Sequence, residues 1–206
     1  GLIAGNSLEM PGTGGETDGQ ILAAVRVGRV SEKLLDERVG RILRLVDDAQ
    51  AAFKSAPGCD MDEHHEFAAR LAEESAVLLK NEGGILPLKP NEKLAVIGDF
   101  AETPRYQGAG SSAVNALQVD TLLDSIKADD SGITLVGYAS GFERQGAADA
   151  EKLEEAVALA KKADIVLLCL GLDELRESEG LDRSDMKLAE NQQQLLAAVA
   201  AVNPNC

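Results

Sequence analysis

Three short apolar runs, separated by stretches with helical spacing, constrain the fold of this 206-residue chain most. They are Lys93-Leu94-Ala95-Val96-Ile97-Gly98, Ile133-Thr134-Leu135-Val136-Gly137-Tyr138 and Ala163-Asp164-Ile165-Val166-Leu167-Leu168-Cys169-Leu170-Gly171. Short, nearly continuous apolar runs mark strands buried on both faces, as in a parallel sheet. Helical patterns lie between and after them, at 119–127, 147–162 and 189–202. Strands alternating with helices predict an α/β fold, a doubly wound and mostly parallel sheet with flanking helices.

The N-terminal part reads differently. Residues 1–18 are rich in Gly and small polar residues and predict a loop. Residues 20–27 form a short helical pattern stopped by Gly28. Ser31 is suited to cap the next helix, because its hydroxyl can accept from an orphan amide. Leu34, Leu35, Val39, Ile42, Leu43 and Val46 then line one face, which predicts a helix to about Phe53. Ala56-Pro57-Gly58 reads as a linker, giving an N-terminal piece over 1–55 and an α/β domain over 56–206. Another helix is predicted over 62–81, closed by Gly83 and Gly84. Asn203-Pro204-Asn205-Cys206 reads as a turn toward a further strand, so the domain is expected to continue beyond the sequence in hand.

Composition excludes some functions. The net charge is −15, with 20 basic and 35 acidic residues. That leaves no basic footprint for nucleic acid or for an anionic membrane surface, and favours a neutral or cationic ligand. No apolar stretch reaches the length of a membrane span. Aromatic residues make up 3% with no Trp, so the core is expected to be Ala, Leu, Val and Ile. Cys59, Cys169 and Cys206 are odd in number and lack zinc spacing. They read as reduced thiols, which favours the cytoplasm, with Cys169 acting as a small buried hydrophobe. His64 and His65 have no ligand at a suitable helical spacing, so no metal is expected. No cofactor is expected either, because Ile97-Gly98-Asp99-Phe100 offers no phosphate fingerprint.

In open α/β sheets, ligands collect at the carboxyl ends of strands. Two loops qualify. The first runs from Asp99-Phe100-Ala101 through Gln107-Gly108-Ala109-Gly110-Ser111-Ser112-Ala113-Val114-Asn115, and its small residues Gly108, Gly110, Ser111 and Ser112 let a ligand approach the backbone. It has no Lys after its glycines and lacks the third glycine of the dinucleotide fingerprint. A tight surface turn is the competing reading. The second loop gathers Asp173, Glu174, Arg176, Glu177, Glu179 and Asp182, followed by Arg183. Crowded carboxylates raise one another's pKa, which suits a general acid, and Arg183 could orient one of them or pair with Asp182. The residues alone leave a carboxylate site and a solvated charged loop both open. Two other functions also stay open, a nucleotide- or flavin-binding module and a non-catalytic interaction domain.

The chain resembles glycoside hydrolase family 3, of the β-glucosidase type. Ala4-Gly5-Asn6-Ser7-Leu8-Glu9-Met10-Pro11-Gly12 is similar to the end of that family's (β/α)8 barrel. Residues 30–43 resemble its last barrel helix. Ala72-Glu73-Glu74-Ser75-Ala76-Val77-Leu78-Leu79-Lys80-Asn81-Glu82 with Leu86-Pro87-Leu88 resembles the start of its α/β sandwich domain. Ala95-Val96-Ile97-Gly98, the 107–115 loop and Glu177-Ser178-Glu179-Gly180-Leu181-Asp182-Arg183 follow in the family's order.

The resemblance implies a retaining glycosidase acting on a β-linked saccharide, with an Asp nucleophile from the barrel and a Glu acid/base from the sandwich. It implies Glu179 as the acid/base, with Glu177 as the rival. It implies Ser111 and Ser112 at the glycone subsite and Asp182 and Arg183 as supporting residues. The nucleophile belongs to a Ser-Asp-Trp-like segment upstream of Ala4, and this sequence has no Trp. The 206-residue chain is therefore expected to be inactive without the remainder of its polypeptide. An incomplete sheet also leaves an open edge, which favours a homodimer.

Overall fold

Ser31 sets the start of the longest helix. Its hydroxyl accepts from the Leu34 N–H at 3.2 Å, satisfying one of the donors orphaned at a helix start. The computed structural model describes residues 1–206 and divides into two compact units, Gly1–Leu71 and Ala72–Cys206.

The first unit contains α1 (Glu16–Arg26), α2 (Glu32–Ser55) and most of α3 (Met61–Ser75). Gly28, at φ 72°, closes α1 in a Schellman arrangement, with Gly28 N–H donating to Val25 and Arg29 N–H to Ala24. The N-terminal loop is tied to α2 by arginines. Arg38 Nε donates to the Leu2 carbonyl at 3.0 Å, and Arg41 Nη1 to that of Gly5 at 3.2 Å.

The helix expected over 62–81 ends at Ser75. Two local bonds explain the difference. The Ser75 hydroxyl donates to the Ala72 carbonyl at 2.8 Å, competing with the helical ladder. Asn81 then closes a loop on Leu86, its Nδ2 donating to the Leu86 carbonyl and its Oδ1 accepting from the Leu86 N–H. Val77, Leu78 and Leu79, whose spacing mimics a helix, are left exposed.

The second unit is built on three parallel strands in the order β2-β1-β3: β1 (Lys93–Ile97), β2 (Thr134–Ala139) and β3 (Ile165–Leu168). Helix α4 (Leu122–Ala128) joins β1 to β2, α5 (Ala150–Ala160) joins β2 to β3, and α6 (Glu190–Val202) follows β3. The central strand shows why its run is continuously apolar. Ala95 and Ile97 face Ala156, Ala160, Leu195 and Val199 of α5 and α6. Leu94 and Val96 face Leu123 of α4 on the opposite side. Both sides of β1 are covered, so every residue from Leu94 to Ile97 is buried. This is the doubly wound α/β architecture expected from the runs.

Strand β3 covers less of its apolar run than expected, because the chain leaves the ladder once the Cys169 N–H has donated to the Ile97 carbonyl at 2.8 Å. Gln192 takes over there. Buried completely, it accepts from the Gly171 N–H at 2.9 Å and donates to the Gly171 carbonyl at 2.8 Å. Its amide thus substitutes for a neighbouring strand. At the outer edge of β3, Val166 N–H donates to the Asn205 carbonyl at 2.9 Å.

Candidate active site

The carboxyl ends of the three strands are drawn together by one side chain. Arg144, from the loop after β2, donates through Nε to Asp99 at 2.8 Å and through Nη1 to Glu174 at 3.2 Å. Asp99 opens the loop after β1 and Glu174 lies in the loop after β3. The guanidinium also stacks over the Phe100 ring at 4.3 Å.

Close approach at the strand ends requires Gly98. Its φ is 124°, and a β-carbon there would fall 2.2 Å from the Cys169 carbonyl oxygen. With no side chain at this position, the segments leaving β1 and β3 lie against each other, and the two predicted loops meet beyond them.

The 173–179 loop is internally braced. Asp173 is buried, and its Oδ1 accepts from the Leu175 and Arg176 amides, both at 2.8 Å. Arg105 binds the loop from outside, donating to Glu177 Oε2 at 2.9 Å, to the Glu177 carbonyl at 2.7 Å and to the Leu172 carbonyl at 3.3 Å.

Glu179 is held differently. Its backbone N–H donates to the Ala109 carbonyl at 2.9 Å, and its Oε2 accepts from the Ser111 N–H at 2.6 Å. The Ser111 hydroxyl and amide hold the Glu179 carboxyl below the ordinary carboxylate range. This corrects the expectation that crowding in this loop would raise it. The loop's acids are dispersed onto separate partners: Asp173 onto backbone amides, Glu174 onto Arg144 and Glu177 onto Arg105.

Glu179 and Glu177 share a cleft of 530 Å³ with Arg105, Tyr106, Gln107 and Gly108. Ser111 reaches this cleft through its bond to Glu179. The Ser112 hydroxyl turns back onto its own loop, donating to the Gly108 carbonyl at 3.3 Å. Asp182 and Arg183 line a separate hollow with Arg176 and Asp185. Arg105 and Arg144 were not singled out in the sequence. The signal that could have found them is charge balance, because an acidic loop at a strand mouth needs cations from neighbouring loops to order it.

A doubly wound α/β domain, with a carboxylate held across two loops at its strand mouths, is the class that fold and site define. The chain belongs to glycosyl hydrolase family 3, whose C-terminal domain matches residues 76–206. It is 42% identical over its whole length to thermostable beta-glucosidase B of Acetivibrio thermocellus. It is also 42% identical, over 99% of its length, to an exo-alpha-(1->6)-L-arabinopyranosidase of Bifidobacterium breve. The chain spans 27% and 28% of these relatives. A crystal structure of the GH3 beta-glucosidase of Bifidobacterium adolescentis superposes with a TM-score of 0.79 at 43% identity, covering 99% of this chain and 30% of that one. The beta-glucosidase of Listeria innocua, solved in complex with glucose, superposes with a TM-score of 0.75 at 26% identity, covering 98% of this chain and 28% of that one.

Proposed function

We propose that this chain is the part of a retaining β-glycosidase that supplies the acid/base carboxylate, and that Glu179 is that residue. The observation that carries the reading is its placement. Glu179 lines a cleft at the strand mouths and its carboxylate is held by the neighbouring Ser111 loop. Glu177 is the weaker candidate, because its carboxylate is paired with Arg105. In a retaining mechanism one carboxylate attacks the anomeric carbon, while the other first protonates the leaving oxygen and then deprotonates the incoming water.

The nucleophile, an Asp in the resemblance, lies outside this chain in this reading. Helices α1 and α2 are then the last helices of the barrel that carries it. The substrate is a β-glucoside or a related β-linked saccharide. An α-L-arabinopyranoside is the second substrate to try, given the Bifidobacterium relative. The isolated chain hydrolyses neither, and measurable turnover by the pure 206-residue protein contradicts this. The outer edge of β2 favours self-association, which sedimentation of a stable monomer at high concentration would rule out.

The deciding experiment replaces Glu179 by Gly in the full-length polypeptide and assays an activated aryl β-glucoside with and without azide. Glycosylation of the nucleophile should survive, turnover should stall, and azide should restore rate and yield a β-glycosyl azide. Normal activity in the variant sinks the assignment and makes Glu177 the next residue to replace.

A further inference from the structure

Arg105 is largely covered, with 15% of its side chain exposed. Its guanidinium reaches the Leu172 carbonyl at the start of the acidic loop, and both the carbonyl and the carboxylate of Glu177 near its end. Two residues further on, the Glu179 amide is bonded to Ala109, which lies four residues beyond Arg105 in the other loop. The strip 105–109 therefore holds the loop by a side chain at one point and by backbone at another. Glu177 is the counter-ion in this grip.

We propose that Arg105 is a positioning residue that sets the orientation of Glu179 by gripping the Leu172 and Glu177 carbonyls. This rests on the reading of Glu179 as acid/base. The grip needs a planar fork that engages three acceptors in fixed directions, which an arginine has and a lysine lacks. Arg105 does not take part in the proton transfer itself. Its loss lets the loop drift, and a displacement of about 1 Å costs on the order of 100-fold in rate. That cost falls on leaving groups that need a proton, and spares those that depart as stable anions.

The experiment measures kcat/KM of the full-length enzyme, R105K, R105M and E179G with an alkyl β-glucoside and a dinitrophenyl β-glucoside. For R105M, the alkyl substrate should lose roughly 10- to 100-fold while the dinitrophenyl substrate stays within a few-fold. R105K should fall between R105M and the parent. An equal loss on both substrates, or no loss on either, overturns the proposal and makes Arg105 a structural or an idle residue. Should R105M fail to fold, R105K carries the same comparison, because a single ammonium lacks the planar fork that reaches the Leu172 and Glu177 carbonyls from two nitrogens. If E179G shows the substrate split and the Arg105 variants do not, only the role of Arg105 falls. If E179G shows no split, the acid/base reading falls and takes this one with it.

Discussion

A β-carbon on Gly110 would lie 2.5 Å from the β-carbon of Glu179 and 2.7 Å from its Oε2. Glycine at position 110 therefore lets the carboxylate lie across the backbone of its partner loop. The backbone there is at φ 117°, which side chains rarely adopt. On the reading of Glu179 as acid/base, Gly110→Ala in the full-length polypeptide is expected to displace Glu179 and to lower kcat/KM for an unactivated β-glucoside by about 100-fold. The left-handed backbone adds a stability cost of roughly 1–3 kcal/mol, measurable by urea unfolding.

Ser111 governs the charge of the same carboxylate. Its hydroxyl and amide favour the ionised form, so the folded pKa lies below the ordinary one. Ser111→Ala removes the hydroxyl and keeps the amide, so the pKa of Glu179 should rise. An acid with a higher pKa stays protonated to higher pH, so the alkaline limb of the kcat/KM profile should move upward. A downward shift in that limb contradicts the assignment of both residues.

Gln192 satisfies both backbone polar groups of Gly171 from a fully buried position. Gln192→Leu keeps the volume and leaves the part-buried donor and acceptor of Gly171 unpaired. The expected loss is roughly 2–6 kcal/mol, at about 1–3 kcal/mol for each of the two unpaired groups. Circular dichroism of the 206-residue chain in urea should show the lower midpoint.

The cysteines should differ in reactivity. Burial pushes the Cys169 thiol up to about 11, whereas Cys59 and Cys206 are exposed. Iodoacetamide at pH 8 should label two sites on the native chain and a third only after denaturation. Mass spectrometry reads the count directly, and rapid native labelling of Cys169 contradicts its packing against the sheet.

Much of the fold was legible because it rests on local pattern. The run at 93–98 states its own burial, and Ser31 and Gly28 announce a helix start and stop with chemistry confined to a few residues. The reading failed where a contact between nearby segments overrode spacing. Val77, Leu78 and Leu79 continue a helical pattern, yet the Asn81 bonds to Leu86 and the Ser75 bond to Ala72 take the chain another way. The candidate site was half legible. Small residues in one loop and acids in the other marked it, but neither loop says which acid meets which serine.

The sequence by itself determined the alternation of strands and helices, the two loops worth inspecting, and Glu177 and Glu179 as the candidate acids. Periodicity and the resemblance both act through residues close together in the chain. Only the tertiary structure decided that Glu177 pairs with Arg105, that Glu179 rests on Ser111, and that Arg144 ties the strand ends together. Those pairs lie 72, 68 and 45 residues apart. Closing such distances depends on the packing of β1 between its two neighbours, which no local pattern encodes.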